Sequence, residues 1–191
     1  MGRVGTPVKG VTALSNFRSV RESALTDSKK QKLGIVVVLN GPSSSGKTTL
    51  ATALKARGFV ALSVDDFHRF SPRSIPNDEV LFGALNDALF ASAASFAQHG
   101  FPVVVDTVFV SDAILQAALS LLDDVKLALV ALKAPIKVLE QRECERGDRQ
   151  PGLARSQYEH VLRDATYALS LDTSRLSTSS CVAEVERLIA R

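Results

Sequence analysis

Residues 34–48 read Gly-Ile-Val-Val-Val-Leu-Asn-Gly-Pro-Ser-Ser-Ser-Gly-Lys-Thr. The first seven form an apolar, largely β-branched run that suits a strand buried on both faces of a parallel sheet. The next eight, Gly41 to Thr48, match the pattern G-x-x-x-x-G-K-[ST] in full. An amphipathic stretch with Leu50 and Leu54 on one side follows until Gly58. Strand, glycine-rich loop and helix in this order predict a phosphate-binding site.

Each residue type in this loop has a physical role. Glycines let backbone N–H groups converge on phosphate oxygens, and the following helix adds its N-terminal donors and positive dipole end. Lys47 is predicted to place a charge on the β- and γ-phosphates, and Thr48 to offer its hydroxyl to Mg²⁺. The nucleotide-binding set is therefore Gly41, Pro42, Ser43, Ser44, Ser45, Gly46, Lys47, Thr48 and Thr49.

The rest of the chain alternates between strand and helix patterns. Further strands are predicted at 59–64, 103–106, 125–132 and 167–171, and helices at 78–100, 113–122, 135–147, 154–163 and 182–189, with a loop over 67–77. Strands that alternate with helices at this spacing indicate βαβ crossovers. The sequence predicts a single three-layer α/β domain with a mostly parallel sheet.

Two aspartates end predicted strands, where ligands bind in open α/β sheets. Asp65 is the candidate catalytic base for an attacking hydroxyl, and Asp106 the candidate Mg²⁺ residue. Asp66 is less favoured, because successive residues of a strand point to opposite sides. A loop carboxylate and a capping carboxylate remain the structural alternatives for Asp65 and Asp106. His68 lies in the acceptor-side loop and is expected to be solvated.

Three arginines, Arg142, Arg146 and Arg149, are spaced to share one face of a helix that leads into a polar segment. Such a face can close over ATP and neutralise the charge that develops on a transferred phosphoryl group, which makes Arg149 a candidate catalytic residue. The alternative is a solvated basic face paired with the glutamates at 140, 143 and 145.

Composition bounds the class of protein. The chain has 191 residues, 46% of them hydrophobic, and a formal net charge of +3. Residues 1–33 hold seven basic and two acidic residues, whereas the remainder holds 16 basic and 18 acidic ones. We therefore expect a flexible basic leader at 1–33 and one domain at 34–191. Nucleic-acid binding is disfavoured because the body is near neutral and aromatic residues are few.

Uninterrupted apolar runs, such as Ile35–Leu39 and Leu127–Leu132, are too short for a membrane span. The cysteines, Cys144 and Cys181, lie far apart without a metal-ligand pattern, so we expect two free thiols in a reducing compartment. These features indicate a cytoplasmic protein that does not cross a membrane.

Four stretches together resemble the chloramphenicol phosphotransferase family: residues 39–48, Val64-Asp65, Val104-Val105-Asp106 and Arg146-Gly147-Asp148-Arg149. The likeness continues through Gln157-Tyr158-Glu159 and Leu171-Asp172-Thr173-Ser174. The resemblance implies an ATP-dependent O-phosphotransferase with an adenylate-kinase-like P-loop NTPase fold. It also implies that Asp65 is the base, that Lys47 and Thr48 hold the phosphates and Mg²⁺, and that Arg146 and Arg149 belong to a lid.

The acceptor stays open, because the pocket and not the phosphate loop sets its identity. Chloramphenicol or a related antibiotic is one hypothesis. A nucleoside, nucleotide or shikimate-type kinase is a second, and a nucleotide-binding regulator that uses the basic leader is a third. ATP is favoured over GTP because the chain lacks an N-K-x-D signature. Oligomeric state is not readable from the sequence.

Overall fold

A computed structural model describes residues 33–71, 79–146, 152–163 and 165–190. Within these ranges the chain forms five strands and seven helices. The strands are β1 (Ile35–Asn40), β2 (Val60–Ser63), β3 (Val103–Asp106), β4 (Lys126–Lys133) and β5 (Leu169–Asp172). The helices are α1 (Lys47–Lys55), α2 (Val64–His68), α3 (Glu79–Gln98), α4 (Asp112–Ser120), α5 (Ile136–Arg146), α6 (Leu153–Tyr158) and α7 (Thr178–Ile189).

The strands form one sheet in the order β2-β3-β1-β4-β5, and every pairing between them is parallel. β1 is central, with Val37 opposite Val104 of β3 on one side and Ala128 of β4 on the other. Because parallel strands point the same way, their carboxyl ends meet at one edge of the sheet. Asn40, Ser63 and Asp106 are the last residues of their strands and lie at that edge.

Both faces of the sheet are covered, because alternate side chains of each strand enter opposite cores. Val36 and Val38 pack with Leu89 and Phe90 of α3 on one face. Val37 and Leu39 pack on the other face, with α1 and α7. The predicted three-layer α/β architecture with a parallel sheet is confirmed.

Helix α3 is notable for its hydropathy. Among the described residues, its segment Val80–Gln98 is long and apolar enough to span a membrane, with a mean hydropathy of 1.4. Uninterrupted apolar runs do not reveal this helix, because polar residues such as Asn86 and Asp87 interrupt it. Its buried side chains Leu89, Phe90 and Ala93 lie in the core against the sheet. This packing is that of a core helix in a globular domain.

Two elements differ from the prediction. Residues 64–68, expected to be the end of a strand and the start of a loop, form the short helix α2. Ser63 begins it, because the Ser63 hydroxyl accepts a hydrogen bond from Asp65 N at 3.3 Å. The helix predicted for 154–163 ends at Tyr158. After Tyr158 the chain continues in turns, and the Val161 carbonyl accepts from the Asn40 side chain at 2.8 Å.

Other boundaries shift by a few residues. α7 begins at Thr178 rather than 182, since Ser177 caps it by accepting from Ser180 N. β5 begins at Leu169, two residues after the predicted start at 167. The expected cap at Asp78, most of the loop over 67–77, the leader up to residue 32 and the segment 147–151 lie outside the described residues.

The Asn40 side chain joins three segments at the carboxyl edge of the sheet. It is fully buried. Its Nδ2 donates to Val161 O at 2.8 Å and to the Tyr167 hydroxyl at 2.7 Å. Its Oδ1 accepts from Gly41 N at 3.0 Å and from Phe109 N at 3.1 Å. One carboxamide thus fixes where the phosphate loop leaves β1.

We predict that Asn40→Ala lowers the free energy of unfolding by about 2–4 kcal/mol, because it strands several buried polar groups at once. Urea unfolding monitored by circular dichroism measures the change. Asn86→Ala is the matched control. Asn86 is also buried, but within the described residues its side chain makes one hydrogen bond, to Phe82 O, where that of Asn40 makes several. Equal losses in the two variants would show that Asn40 is not a special anchor.

Candidate active site

The loop between β1 and α1 turns sharply and keeps its backbone donors on one side. Ser44 and Gly46 have positive φ angles of 62° and 94°. Residues that alternate in this way form a concave nest of N–H groups that binds anions. Gly41 admits no side chain, because a Cβ there would lie 2.3 Å from the Leu132 carbonyl oxygen. The sequence pattern of this loop therefore reflects a steric requirement.

The N-terminus of α1 is open toward the nest. Its N-cap is Gly46, which has no side chain that could cap the helix. The first N–H groups of any helix lack intrahelical partners. The hydroxyls of Ser44 and Ser45 are buried and, within the described part of the chain, have no hydrogen-bond partner. These donors fit the oxygens of a polyphosphate.

Lys47 lies within the loop that it is predicted to serve. Its side chain is 8% exposed. The ammonium donates to Gly41 O at 2.8 Å and to Pro42 O at 3.0 Å. A compact cation is thus held directly under the position expected for the phosphates.

Thr48 and Asp106 meet across the site. The Thr48 hydroxyl donates to Asp106 Oδ2 at 2.6 Å, and Asp106 is 6% exposed at the end of β3. A hydroxyl and a carboxylate in contact are the oxygen donors that hold Mg²⁺ directly or through its waters. The residues present therefore fit a magnesium ion.

Asp65 faces the phosphate loop from α2. It lines a cavity together with Lys47 and Thr48. Its neighbour Asp66 is exposed and forms an ion pair with Arg69 at 2.8 Å. The preference for Asp65 over Asp66 as the base stays a prediction, and the strand argument for it was wrong, since both residues lie in α2. The two carboxylates separate because successive residues of a helix point about 100° apart.

His68 differs from its expected solvated state. It is half-buried, its ring packs edge-on against Phe82 at 5.1 Å, and both side chains line the same cavity as Asp65. In the described ranges its Nε2 is buried without a hydrogen-bond partner. The part of the cavity that His68 and Phe82 line is therefore partly apolar.

The cavity has a volume of about 250 Å³ and lies between the loop, β3, α2 and the helices α5 and α6. We call α5 and α6 the lid helices, after the predicted lid. Its lining includes Ser43, Ser44, Gly46, Lys47, Thr48, Thr49, Asp65, Asp106 and Arg146. Of the other predicted site residues, Gly41, Pro42 and Ser45 form the loop without lining this cavity, Arg142 lies beside it, and Arg149 falls outside the described residues.

A second cavity of about 330 Å³ adjoins the loop on the side of α7. It shares Ser44, Gly46, Thr49 and Arg146 with the first cavity. Its remaining lining comes from Leu50, Leu132, Arg142, Glu145, Thr173, Leu176, Thr178 and Cys181. Both cysteines are free, and burial raises the pKa of the Cys181 thiol. The two cavities together form a groove with the phosphate loop between them.

Arg142 braces the loop. Its guanidinium donates to Thr173 Oγ1 at 3.0 Å, to Thr173 O at 2.8 Å and to Ser44 O at 3.4 Å. The Thr173 hydroxyl in turn donates to Ser45 O at 3.0 Å. Arg142 and Thr173 thus hold the outer carbonyls of the loop, so that its N–H groups face the groove.

The turn that carries Thr173 is itself fixed by a carboxylate. Asp172 accepts from the Ser174 hydroxyl at 2.6 Å and from Ser174 N at 3.0 Å. These hydrogen bonds, helped by Arg175 and Lys133, hold the pKa of Asp172 below its ordinary value. Asp172 therefore remains ionised near neutral pH and keeps the turn in place.

Two residues, on α5 and α6, have structural roles that the sequence does not assign to them. Glu143 is buried, and its two oxygens accept from Gly152 N at 2.9 Å and from Ala154 N at 2.8 Å. Gln157 Oε1 accepts from Ser43 N at 2.7 Å. Glu143 thus joins α5 to α6, and Gln157 joins α6 to the phosphate loop. Of the glutamates offered as alternative partners of the arginines, Glu140 accepts from Arg155 Nε at 2.6 Å and Glu145 from Gln141 Nε2 at 2.9 Å.

Comparison with solved structures supports the kinase fold. An APS kinase of Mycobacterium tuberculosis, solved with AMPPNP and APS, is 21% identical, covers 83% of this chain and 99% of its own, and superposes with a TM-score of 0.64. A gluconokinase of Sinorhizobium meliloti is 24% identical over 85% of this chain and 94% of its own, also with a TM-score of 0.64. Both likenesses concern the fold.

Comparison with other protein sequences also indicates a phosphotransferase. A Mycobacterium tuberculosis protein named as a candidate O-phosphotransferase is 26% identical over 74% of this chain and 76% of its own length. A profile described as chloramphenicol phosphotransferase-like protein matches residues 34–190. The chain therefore belongs to the chloramphenicol phosphotransferase-like family and is a P-loop phosphotransferase with a hydroxyl acceptor.

Proposed function

We propose that this enzyme transfers the γ-phosphoryl group of ATP to a hydroxyl of a small molecule, with chloramphenicol or a related antibiotic as the first acceptor to test. One observation carries the proposal: Lys47 and Asp65 line the same cavity. A phosphate-holding cation and a proton acceptor around one small volume are what transfer to an alcohol requires.

In this proposal Asp65 acts as general base. Its carboxylate accepts the proton of the acceptor hydroxyl as the hydroxyl oxygen attacks the γ-phosphorus, the bond to the β-γ bridging oxygen breaks, and ADP leaves. Lys47 and the loop N–H groups stabilise the charge on the phosphates. Arg146, which lines both cavities, adds positive charge from the lid side.

Thr48 and Asp106 would hold Mg²⁺. The ion neutralises charge on the β- and γ-phosphates when it is bound. In this proposal the nucleoside occupies the second cavity, beside Thr173 and Thr178, because that cavity joins the loop on the side away from Asp65. In this proposal the reaction takes place within residues 34–191, and the leader 1–33 takes no part in it. The enzyme is cytoplasmic and needs neither a membrane nor a nucleic acid.

We predict that Asp65→Asn lowers kcat by about 10²–10⁴-fold, because the amide no longer accepts a proton. Nucleotide affinity, measured by calorimetry, should stay near the wild-type value, since the loop is unaltered. Asp66→Asn is the matched control, because Asp66 pairs with Arg69 on the exposed side of the same helix. Transfer at the wild-type rate by Asp65→Asn would remove Asp65 from the role of base.

We also predict that Asp106→Asn raises the Mg²⁺ concentration for half-maximal activity by about 10- to 100-fold, since a ligand-orienting carboxylate is lost. A Mg²⁺ titration of turnover at saturating ATP measures this change. Asp123→Asn, which alters an exposed acidic residue after α4, should leave the titration unchanged. An unshifted midpoint in Asp106→Asn would contradict the magnesium assignment.

The acceptor is tested by ATP consumption with a panel of chloramphenicol, other hydroxylated antibiotics, nucleosides, shikimate and sugars. We expect a hydroxylated antibiotic to stimulate ADP release, with phosphorus NMR showing a new phosphate ester. Stimulation by a nucleoside or shikimate alone would instead favour the second kind of small-molecule kinase. GTP in place of ATP tests the choice of base in the same assay.

A further inference from the structure

Gln157 contacts the phosphate loop from the lid. It lies on α6 and is half-buried, and its Oε1 accepts a hydrogen bond from Ser43 N at 2.7 Å. Because Ser43 N is a donor, only the oxygen end of the carboxamide can face it. The contact therefore fixes which end of the Gln157 side chain points to the loop and which end points away.

The other end of this carboxamide carries two N–H donors. Among residues 33–71, 79–146, 152–163 and 165–190, Gln157 Nε2 donates no hydrogen bond to another protein group. The side chain lines the cavity that also holds Lys47, Asp65 and Arg146. A side chain that is oriented by one hydrogen bond, keeps two N–H donors and lines a cavity with Lys47 and Arg146 is suited to bind an anion there.

The inference rests on the proposed function, which requires the γ-phosphoryl group to lie in this cavity, since the group passes from the phosphate loop to a hydroxyl beside Asp65. The α- and β-phosphates, by contrast, belong at the loop and the start of α1. We propose that Gln157 Nε2 donates to an oxygen of the γ-phosphoryl group. Gln157 is then a catalytic residue that distinguishes a nucleoside triphosphate from a diphosphate.

The lid helices favour this role. Glu143 of α5 accepts from the backbone N–H groups of Gly152 and Ala154 at the start of α6. α5 also carries Arg146, which lines the same cavity. Arg146 and Gln157 are therefore carried by two helices that one buried carboxylate holds together. A γ-phosphoryl group bound by both would connect the lid to the phosphate loop through the Ser43 contact.

Gln157→Glu separates the two roles of the side chain. A carboxylate still accepts from Ser43 N, so the contact with the loop persists, but it replaces the donor with a negative oxygen. We expect the affinity for the non-hydrolysable triphosphate AMPPNP to fall about 10- to 100-fold, the cost of a lost hydrogen bond to a charged group. The affinity for ADP should change less than about twofold. kcat should fall with the AMPPNP affinity.

Calorimetric titration of the full chain with ADP and with AMPPNP, each with Mg²⁺, gives the result without knowledge of the acceptor. Ser156→Glu is the matched control, because it adds the same charge on an exposed neighbour in α6 that does not line the cavity. Gln157→Ala, which removes both the contact and the donor, should also weaken AMPPNP more than ADP. Urea unfolding checks that each variant is folded.

Two results would overturn the inference. Wild-type affinity of Gln157→Glu for both nucleotides would show that the side chain serves the loop contact alone. Equal losses for ADP and AMPPNP would show that it acts on the loop as a whole and not on the γ-phosphoryl group. If the wild-type chain bound neither nucleotide, the proposed function itself would fail, and this third result is distinct from the other two.

Discussion

The main constraint on this structure is that the backbone of residues 41–46 must turn from a buried strand into a helix while its N–H groups face one point. The turn places Ser44 and Gly46 in the left-handed region, and a non-glycine residue such as Ser44 adopts that conformation at an energetic cost. The loop therefore needs support from around it. Asn40 holds its entry, and Arg142 with Thr173 holds its carbonyls. The sheet order places β1 between β3 and β4, which brings these supports within reach.

Much of the fold could be predicted from the sequence. The run from Ile35 to Lys47 contains strand, loop and helix signals that agree with one another. β3 and most of β4 are buried, and such strands read as short continuous apolar runs. The short helix α2 was missed because its pattern matches a strand end until Ser63 is recognised as a cap. The sequence did not show that α6 ends at Tyr158 or that the segment after it bonds to Asn40, which is distant in the sequence.

The placement of Lys47, Thr48 and Asp106 around one cavity could be predicted, because the loop motif and the end of a buried strand locate them; their roles stay predictions. The site was not predictable where a side chain acts through a distant partner. Glu143 is one of several glutamates on α5, and only the fold shows that it alone turns to the backbone of α6. Arg142 shares its helical face with Arg146, yet the structure places it against Thr173. Spacing locates such residues on a face but does not name their partners.

The position of the Lys47 ammonium has a consequence for the energetics of turnover. Its hydrogen bonds to Gly41 O and Pro42 O satisfy much of the charge before any nucleotide arrives. A phosphate that displaces these carbonyls exchanges one set of contacts for another, so the gain is the difference between the two sets. In the proposed reaction the exchange reverses when ADP leaves, because the ammonium can return to the carbonyls. Such an exchange lowers the affinity for the nucleotide and eases release of the product.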